Sequence, residues 1–201
     1  MPETDQPEKI VLASGNSGKL REIQAVLDQQ RFQLIKQSEF KVADVPETGT
    51  TFVENAIIKA RHAADKTGLP ALADDSGIEV DALQGAPGVY SARYAGIHGE
   101  DDANNTKLLA EMEDVAEQDR TARFRCVLVY MRHKGDPMPL ICEGTWEGLI
   151  LQELSGANGF GYDPLFFVPT HKCSSAELDP AEKNRISHRA QALQKLIATL
   201  N

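Results

Sequence analysis

The stretch "ARFRCVLVYMRHKGDPMPLICEGTWEGLILQEL", Ala122–Leu154, decides the fold. Phe124, Cys126, Leu128 and Tyr130 alternate along Ala122–His133, which is the period of a β-strand. "HKGDP" then turns the chain, and Leu140–Leu154 returns. Adjacent strands joined by so short a turn run antiparallel. Upstream the rhythm is different. Lys9–Ser14 reads as a short buried strand, Lys19–Gln29 as a helix with Leu20, Ile23 and Leu27 on one face, and Phe32–Ile35 as a second strand. Strands alternating with helices, followed by a long hairpin, predict an α/β fold built on a mixed sheet.

The remaining elements fit that frame. After a loop with Pro46 and Gly49, Thr51 and Glu54 match a capping box, in which each side chain satisfies an amide of the first helical turn. Phe52, Ala56, Ala60 and Ala63 follow as an apolar stripe, and Gly68 and Pro70 end the helix. "ALADDSG" reads as a strand, Ala71–Ala73, running into a polar turn, with Ile78–Leu83 as a further strand. Asp101–Glu113 is helical, with Leu108, Leu109 and Met112 inward. Asp179, Pro180 and Glu182 form an N-cap, an N1 proline and an N3 glutamate. They launch a helix with Ile186, Ala190, Leu193, Ile197 and Leu200 on one side.

The chain has 201 residues, of which 41% are hydrophobic and 25% charged. That suits one domain over residues 9–201, with residues 1–8 as a loose, flexible N-terminal tail. No apolar stretch reaches the roughly 20 residues of a membrane span. The polar, acidic start is no signal peptide, so a cytoplasmic location is expected. Cys126, Cys142 and Cys173 lie far apart without a metal or disulfide pattern. The formal charge is −9. It disfavours nucleic-acid binding, which calls for a basic excess or stripe, but leaves room for an anionic small ligand in a locally basic cleft.

Four segments carry candidate chemistry. "SGNSGK", Ser14–Lys19, lies between a strand and a helix. It reads either as a turn and cap or as a phosphate site, in which amides at the helix N-terminus and the Lys19 ammonium face an anion. It matches neither the Walker nor the dinucleotide pattern. Asp74-Asp75-Ser76-Gly77 places two carboxylates where open α/β sheets keep their ligands. Hard oxygens suit Mg²⁺, and on an extended segment only one of the two faces a given ligand. Glu47, in the loop before the capped helix, is a candidate second metal ligand, and Lys59 lies at the edge of that helix's apolar stripe. "SGANGFGYDP", Ser155–Pro164, sets Phe160 and Tyr162 among glycines, either to stack a heterocycle or to fill a core. Lys183 with Ser187, His188 and Arg189 could grip phosphate or a base carbonyl. On one straight helix Lys183 and Arg189 point about 120° apart, so the helix is interrupted or the two serve different ends of a large ligand. Arg93 in "SARYAG" is a weaker candidate.

With these pieces in this order, "SGNSGK", "ETGTTFVENAIIKA", "ADDSG", "GAPGVYSARYAG", "GFGYDP" and "EKNRISHR", the chain resembles the inosine triphosphate pyrophosphatase family from Lys9 to Leu200. Ser14 stands where that family often has threonine, which keeps the hydroxyl. The resemblance implies an elongated mixed sheet flanked by helices, two lobes with an active-site cleft between them, and a homodimer. It implies hydrolysis of non-standard purine nucleoside triphosphates (dITP, ITP, XTP) to the monophosphate and pyrophosphate. Ser14, Gly15, Asn16, Ser17, Gly18 and Lys19 would bind the triphosphate. Glu47 and Asp75 would hold Mg²⁺, with Asp75 also the proton acceptor. Lys59 and Ser76 would contact phosphate or substrate. Phe160, Gly161, Tyr162, Asp163, Lys183, His188 and Arg189 would surround the nucleotide and its base. Two rivals remain: a Mg²⁺ pyrophosphatase for modified pyrimidine triphosphates, and a non-catalytic nucleotide sensor.

Overall fold

The computed structural model describes residues 7–27 and 31–200. The first half alternates strands and helices: β1 (Glu8–Leu12), α1 (Ser17–Val26), β2 (Phe32–Lys36), α2 (Phe52–Thr67), β3 (Ala71–Val80) and α3 (Asp101–Glu111). The second half holds β4 (Thr121–Met131), β5 (Leu140–Ile150), β6 (Phe166–Val168), β7 (Cys173–Ser174), α4 (Pro180–Ile186) and α5 (His188–Leu200). One sheet collects the strands in the order β2-β1-β3-β4-β5-β6-β7. β1 runs parallel to β2, with Ile10 opposite Leu34, and parallel to β3, with Leu12 opposite Leu72. β5, β6 and β7 are antiparallel neighbours. The sheet is therefore mixed, as the long hairpin predicts.

Two boundaries differ from the sequence reading. Residues 1–6 of the expected tail, and the expected end of the first helix at residues 28–29, lie outside the described residues. Glu8 is not tail: it opens β1 opposite Phe32, and its carboxylate accepts a hydrogen bond from the Tyr130 hydroxyl at 2.9 Å. More consequentially, "ALADDSGIEV" is one unbroken strand rather than a strand, a polar turn and a second strand. Sequence pattern reads Asp-Asp-Ser-Gly as turn chemistry. Here the acids are neutralised by cations from other elements, so the chain stays extended through them.

Two compact units make up the chain. The first comprises residues up to Asp75, residues 127–143 and residues from Arg189 onward; the second comprises residues 76–126 and 144–188. The first is built on small residues: Ala56, Ala60, Ala63 and Ala64 of α2 pack with Val11, Ala71, Ala73, Val127, Val129 and Met131 of the strands. A stripe of alanines lets a helix backbone approach the sheet closely. The second has a large-residue core, with Phe124, Trp146, Tyr162 and Phe166 among Ile78, Val80, Leu108 and Met112. β3 feeds both cores and is buried along nearly its whole length.

α2 begins as its sequence demands. Thr51 Oγ1 accepts from the Glu54 amide, and the Glu54 carboxylate accepts from the Thr51 amide at 3.0 Å. α4 starts at the Asp179 cap, whose carboxylate accepts from the Ala181 amide at 2.8 Å. The expected single C-terminal helix is interrupted at Ser187, whose ψ of 162° is extended. α4 and α5 are thus separate helices, one of the two outcomes the Lys183–Arg189 angle allowed.

Candidate active site

Consecutive residues of a strand face opposite ways, and β3 uses this to give its two acids different partners. Asp74 is fully buried. Arg189 Nε donates to its Oδ2 at 2.7 Å, and the Lys19 ammonium sits 2.6 Å from Oδ1. The far side of the Arg189 guanidinium donates to Glu22. Burial by itself would raise the Asp74 pKa, but Arg189 and Lys19 outweigh it and hold the carboxyl well below its usual range.

Asp75 meets a different cation. The Lys59 ammonium donates to Asp75 Oδ1 at 2.6 Å, to the Asp74 main-chain oxygen at 2.8 Å and to Glu47 Oε1 at 3.0 Å. Burial raises the Asp75 pKa, the nearby Glu47 charge adds to the rise, and Lys59 and Lys19 offset it only in part. Burial would lower the Lys59 pKa; the Asp75 and Glu47 carboxylates overcome that and raise it.

Local structure explains how these side chains arrive. Asn16 caps α1, its Oδ1 accepting from the Gly18 amide at 2.8 Å and the Lys19 amide at 3.1 Å, while Ser14 Oγ accepts from the Asn16 amide at 3.1 Å. Three amides of the loop expected to face phosphate are therefore bonded inside it. Those of Gly15 and Ser17 bond to nothing else among the described residues. Lys19 and Glu22, one turn apart on α1, frame Arg189 and Asp74 together. The Glu47 loop is tied down by α2: the Glu54 carboxylate accepts from Thr50 and Thr51, and Asn55 Oδ1 accepts from the Gly49 amide at 2.8 Å. Ser76 follows Asp75 on β3 and is half-buried.

In the second unit the loop Ser155–Pro164 is organised around Asp163. Its Oδ2 accepts from the Phe160 amide at 2.8 Å and from the Lys183 ammonium at 2.6 Å, and its Oδ1 accepts from Ser175 Oγ at 2.8 Å. Gly159, at φ +80°, is required there, because a Cβ would overlap the Asp163 carboxylate. Tyr162 belongs to the core, its hydroxyl donating to the Ser91 carbonyl at 2.8 Å. Phe160 stays half-buried, and the Lys183 ammonium lies 5.1 Å from its ring centroid. His188 stacks on Phe124 with centroids 4.7 Å apart and planes 13° from parallel. Arg93 lies over the Tyr90 ring, 5.2 Å from its centroid.

Of the residues singled out from sequence, Lys19 comes together with Asp74 and Arg189; Glu47, Lys59 and Asp75 form a second group; Phe160, Asp163 and Lys183 form a third. Lys183 and Arg189 fall in separate units. The residues not anticipated are supporting ones: Glu22, Asn55, Asp101, Asn105 and Ser175. Glu22 three places after Lys19 was a readable helix-face pairing. Ser175 and Asn105 bond to segments distant in sequence and carry no local signal.

Glu47 and Asp75 arrive from a loop and a strand to share one cation, which tests whether they suit Mg²⁺. Among the described residues no group of three or more His, Cys, Asp or Glu converges. Two carboxylates are what Mg²⁺ ordinarily takes from protein, with substrate phosphates and water completing its shell. The donor set fits.

Fold and site define an α/β enzyme with a carboxylate centre on an interior strand of its sheet. The chain belongs to the Ham1 family, whose sequence profile matches residues 10–199. It is 63% identical to the dITP/XTP pyrophosphatase of Vibrio parahaemolyticus over 96% of this chain and 97% of that one. It is 60% identical to the dITP/XTP pyrophosphatase of Vibrio cholerae over 96% of each. Among solved structures, a HAM1 protein from Coxiella burnetii matches with a TM-score of 0.89 at 56% identity, covering 96% of this chain and 98% of that one. The Staphylococcus aureus Ham1 protein matches with a TM-score of 0.85 at 42% identity, covering 96% and 98%. The motif resemblance read from the sequence is borne out.

Proposed function

We propose that this chain is a Mg²⁺-dependent pyrophosphohydrolase that converts dITP, XTP and ITP to the nucleoside monophosphate and pyrophosphate, removing deaminated purines from the nucleotide pool. Membership of the Ham1 family and relatives named dITP/XTP pyrophosphatase support the reaction and its substrates. One observation carries the chemistry: Glu47 and Asp75 converge on the single ammonium of Lys59.

Asp75 takes the proton of the attacking water. It is the acid whose proton affinity ends up raised, because its cations offset burial and the Glu47 charge only in part, and a base works best when its pKa approaches the working pH. Asp74, held ionised by Arg189 and Lys19, is unsuited to that exchange and anchors the strand. Glu47 and Asp75 would hold Mg²⁺, which when bound spreads the negative charge of the phosphates and of the departing pyrophosphate. Lys59 and Lys19, both nearly buried beside these acids, supply positive charge to the triphosphate, with the Gly15 and Ser17 amides as donors. In the second unit the Phe160 ring offers a face to the base, and a donor toward the 6-oxo group separates hypoxanthine and xanthine from adenine. Adenine's 6-amino group would leave a buried donor unpaired, a penalty well suited to discrimination. On the same family likeness the enzyme works as a cytoplasmic homodimer. Among the described residues no helix is long and apolar enough to cross a membrane.

Pyrophosphate release tests the reading. dITP, XTP and ITP should yield monophosphate and pyrophosphate with Mg²⁺ and almost none with EDTA, while dATP and dTTP react poorly. Release of single phosphates, or equal rates on dTTP, would refute it.

A further inference from the structure

The Gly161 peptide, between Phe160 and Tyr162, is held on both sides by one turn of α3. Its N–H donates to Asp101 Oδ2 at 2.7 Å, and its carbonyl accepts from Asn105 Nδ2 at 2.9 Å. The two clamping residues are four apart at the helix start, so they share one face. Asn105 is buried, and its Oδ1 has no hydrogen-bond partner. A buried acceptor left unbonded is a cost that an apolar residue in its place would avoid. Its neighbour Asn104 shows the ordinary alternative: Oδ1 accepts from the Ala95 amide at 2.7 Å and Nδ2 donates to the Ala92 carbonyl at 3.4 Å, so both ends are used. Asn105 is thus kept for its one donor bond, to Gly161. With its N–H already donated to Asp101, Gly161 has no spare donor for a substrate. The clamp holds the backbone immediately after Phe160.

We propose that Asp101 and Asn105 are positioning residues for base selectivity, acting through the Gly161 peptide on Phe160. The inference rests on the reading that this loop faces the purine. A loop free to shift would leave phosphate binding intact but would present the ring at a variable angle, and small misplacements are expensive in a recognition site.

The experiment compares Asp101→Ala, Asp101→Asn, Asn105→Ala and Phe160→Ala, using inhibition constants for inosine monophosphate and inorganic tripolyphosphate and the ratio of kcat/KM for dITP over dATP. Asp101→Ala and Asn105→Ala should weaken the monophosphate by about tenfold and lower the ratio by a similar factor. Tripolyphosphate inhibition should stay within about twofold in both. Asp101→Asn keeps a carbonyl able to accept from Gly161 and should restore both properties. Asp101 is only partly buried at a helix start, so its variants keep the proposal testable if Asn105→Ala fails to fold. An unchanged ratio in Asp101→Ala, or equal weakening of monophosphate and tripolyphosphate, would overturn the clamp's role. Failure of the underlying reading has its own signature: Phe160→Ala would then leave monophosphate binding unaltered, and this proposal would fall with it.

Discussion

On one side of β3 a carboxylate meets two cations, Lys19 and the Arg189 it shares with Glu22; on the other, its neighbour shares a single ammonium with a loop glutamate. Asp74 and Asp75 differ in nothing but position, yet one is driven far below the ordinary carboxylate pKa and the other above it. Both are buried, so burial does not separate them; the number of cations per carboxylate does. An acid whose charge is matched, as Asp74 and Glu22 are by Lys19 and Arg189, is a structural anchor. An acid with too little positive charge around it has an unmet demand for protons or for a further cation, which is the property a hydrolytic site needs.

The largest test of this contrast is Asp75→Asn. Removing a proton acceptor should cut kcat by about 10²–10⁴-fold, while Lys59 keeps Glu47 as a counter-ion. Near-normal turnover would take Asp75 out of the chemistry. Next comes Arg189→Met, which leaves Asp74 and Glu22 facing each other's surroundings without their shared cation. Breaking a buried pair from one side costs about 3–5 kcal/mol, so urea unfolding should shift strongly. A loss under 1 kcal/mol would mean that Lys19 alone suffices for Asp74.

The smallest effect is in the pH dependence of stability, where the two acids act in opposite directions. The native Asp74 pKa is depressed, so its contribution is complete above the unfolded value of about 4 and is lost as pH falls through the native one. The native Asp75 pKa is raised, so stability declines as pH rises from the unfolded value through the native one. Urea midpoints of the parent and Asp75→Asn from pH 3 to pH 7 should show the decline above about pH 4 vanish in the variant while the acid loss stays. Curves of the same shape would refute the contrast.

Much of this was legible from residues alone, for identifiable reasons. The hairpin around "HKGDP", the Thr51–Glu54 box and the Asp179-Pro180 start are local, and local pattern reports them. The continuity of β3 through Asp74 and Asp75 was not legible, because what keeps the strand extended is charge from Lys19, Lys59 and Arg189 on three other elements. The same holds for Tyr162: two aromatics among glycines left stacking and core filling equally open, and the structure puts Tyr162 in the core with Phe160 half-buried. Asp163, expected near the base, bonds Lys183, Ser175 and the Phe160 amide at once, a convergence that spacing does not encode.

The Arg189–Asp74 pairing joins positions 115 residues apart. A ribosome therefore releases the acidic strand long before it makes the strand's principal counter-ion. Until α5 emerges, Asp74 lacks its Arg189 partner, and the strand that carries it is costlier to bury. The matching of Asp74 with its second cation is tied in this way to completion of synthesis, so a fragment ending before Arg189 should unfold at lower urea than the whole chain.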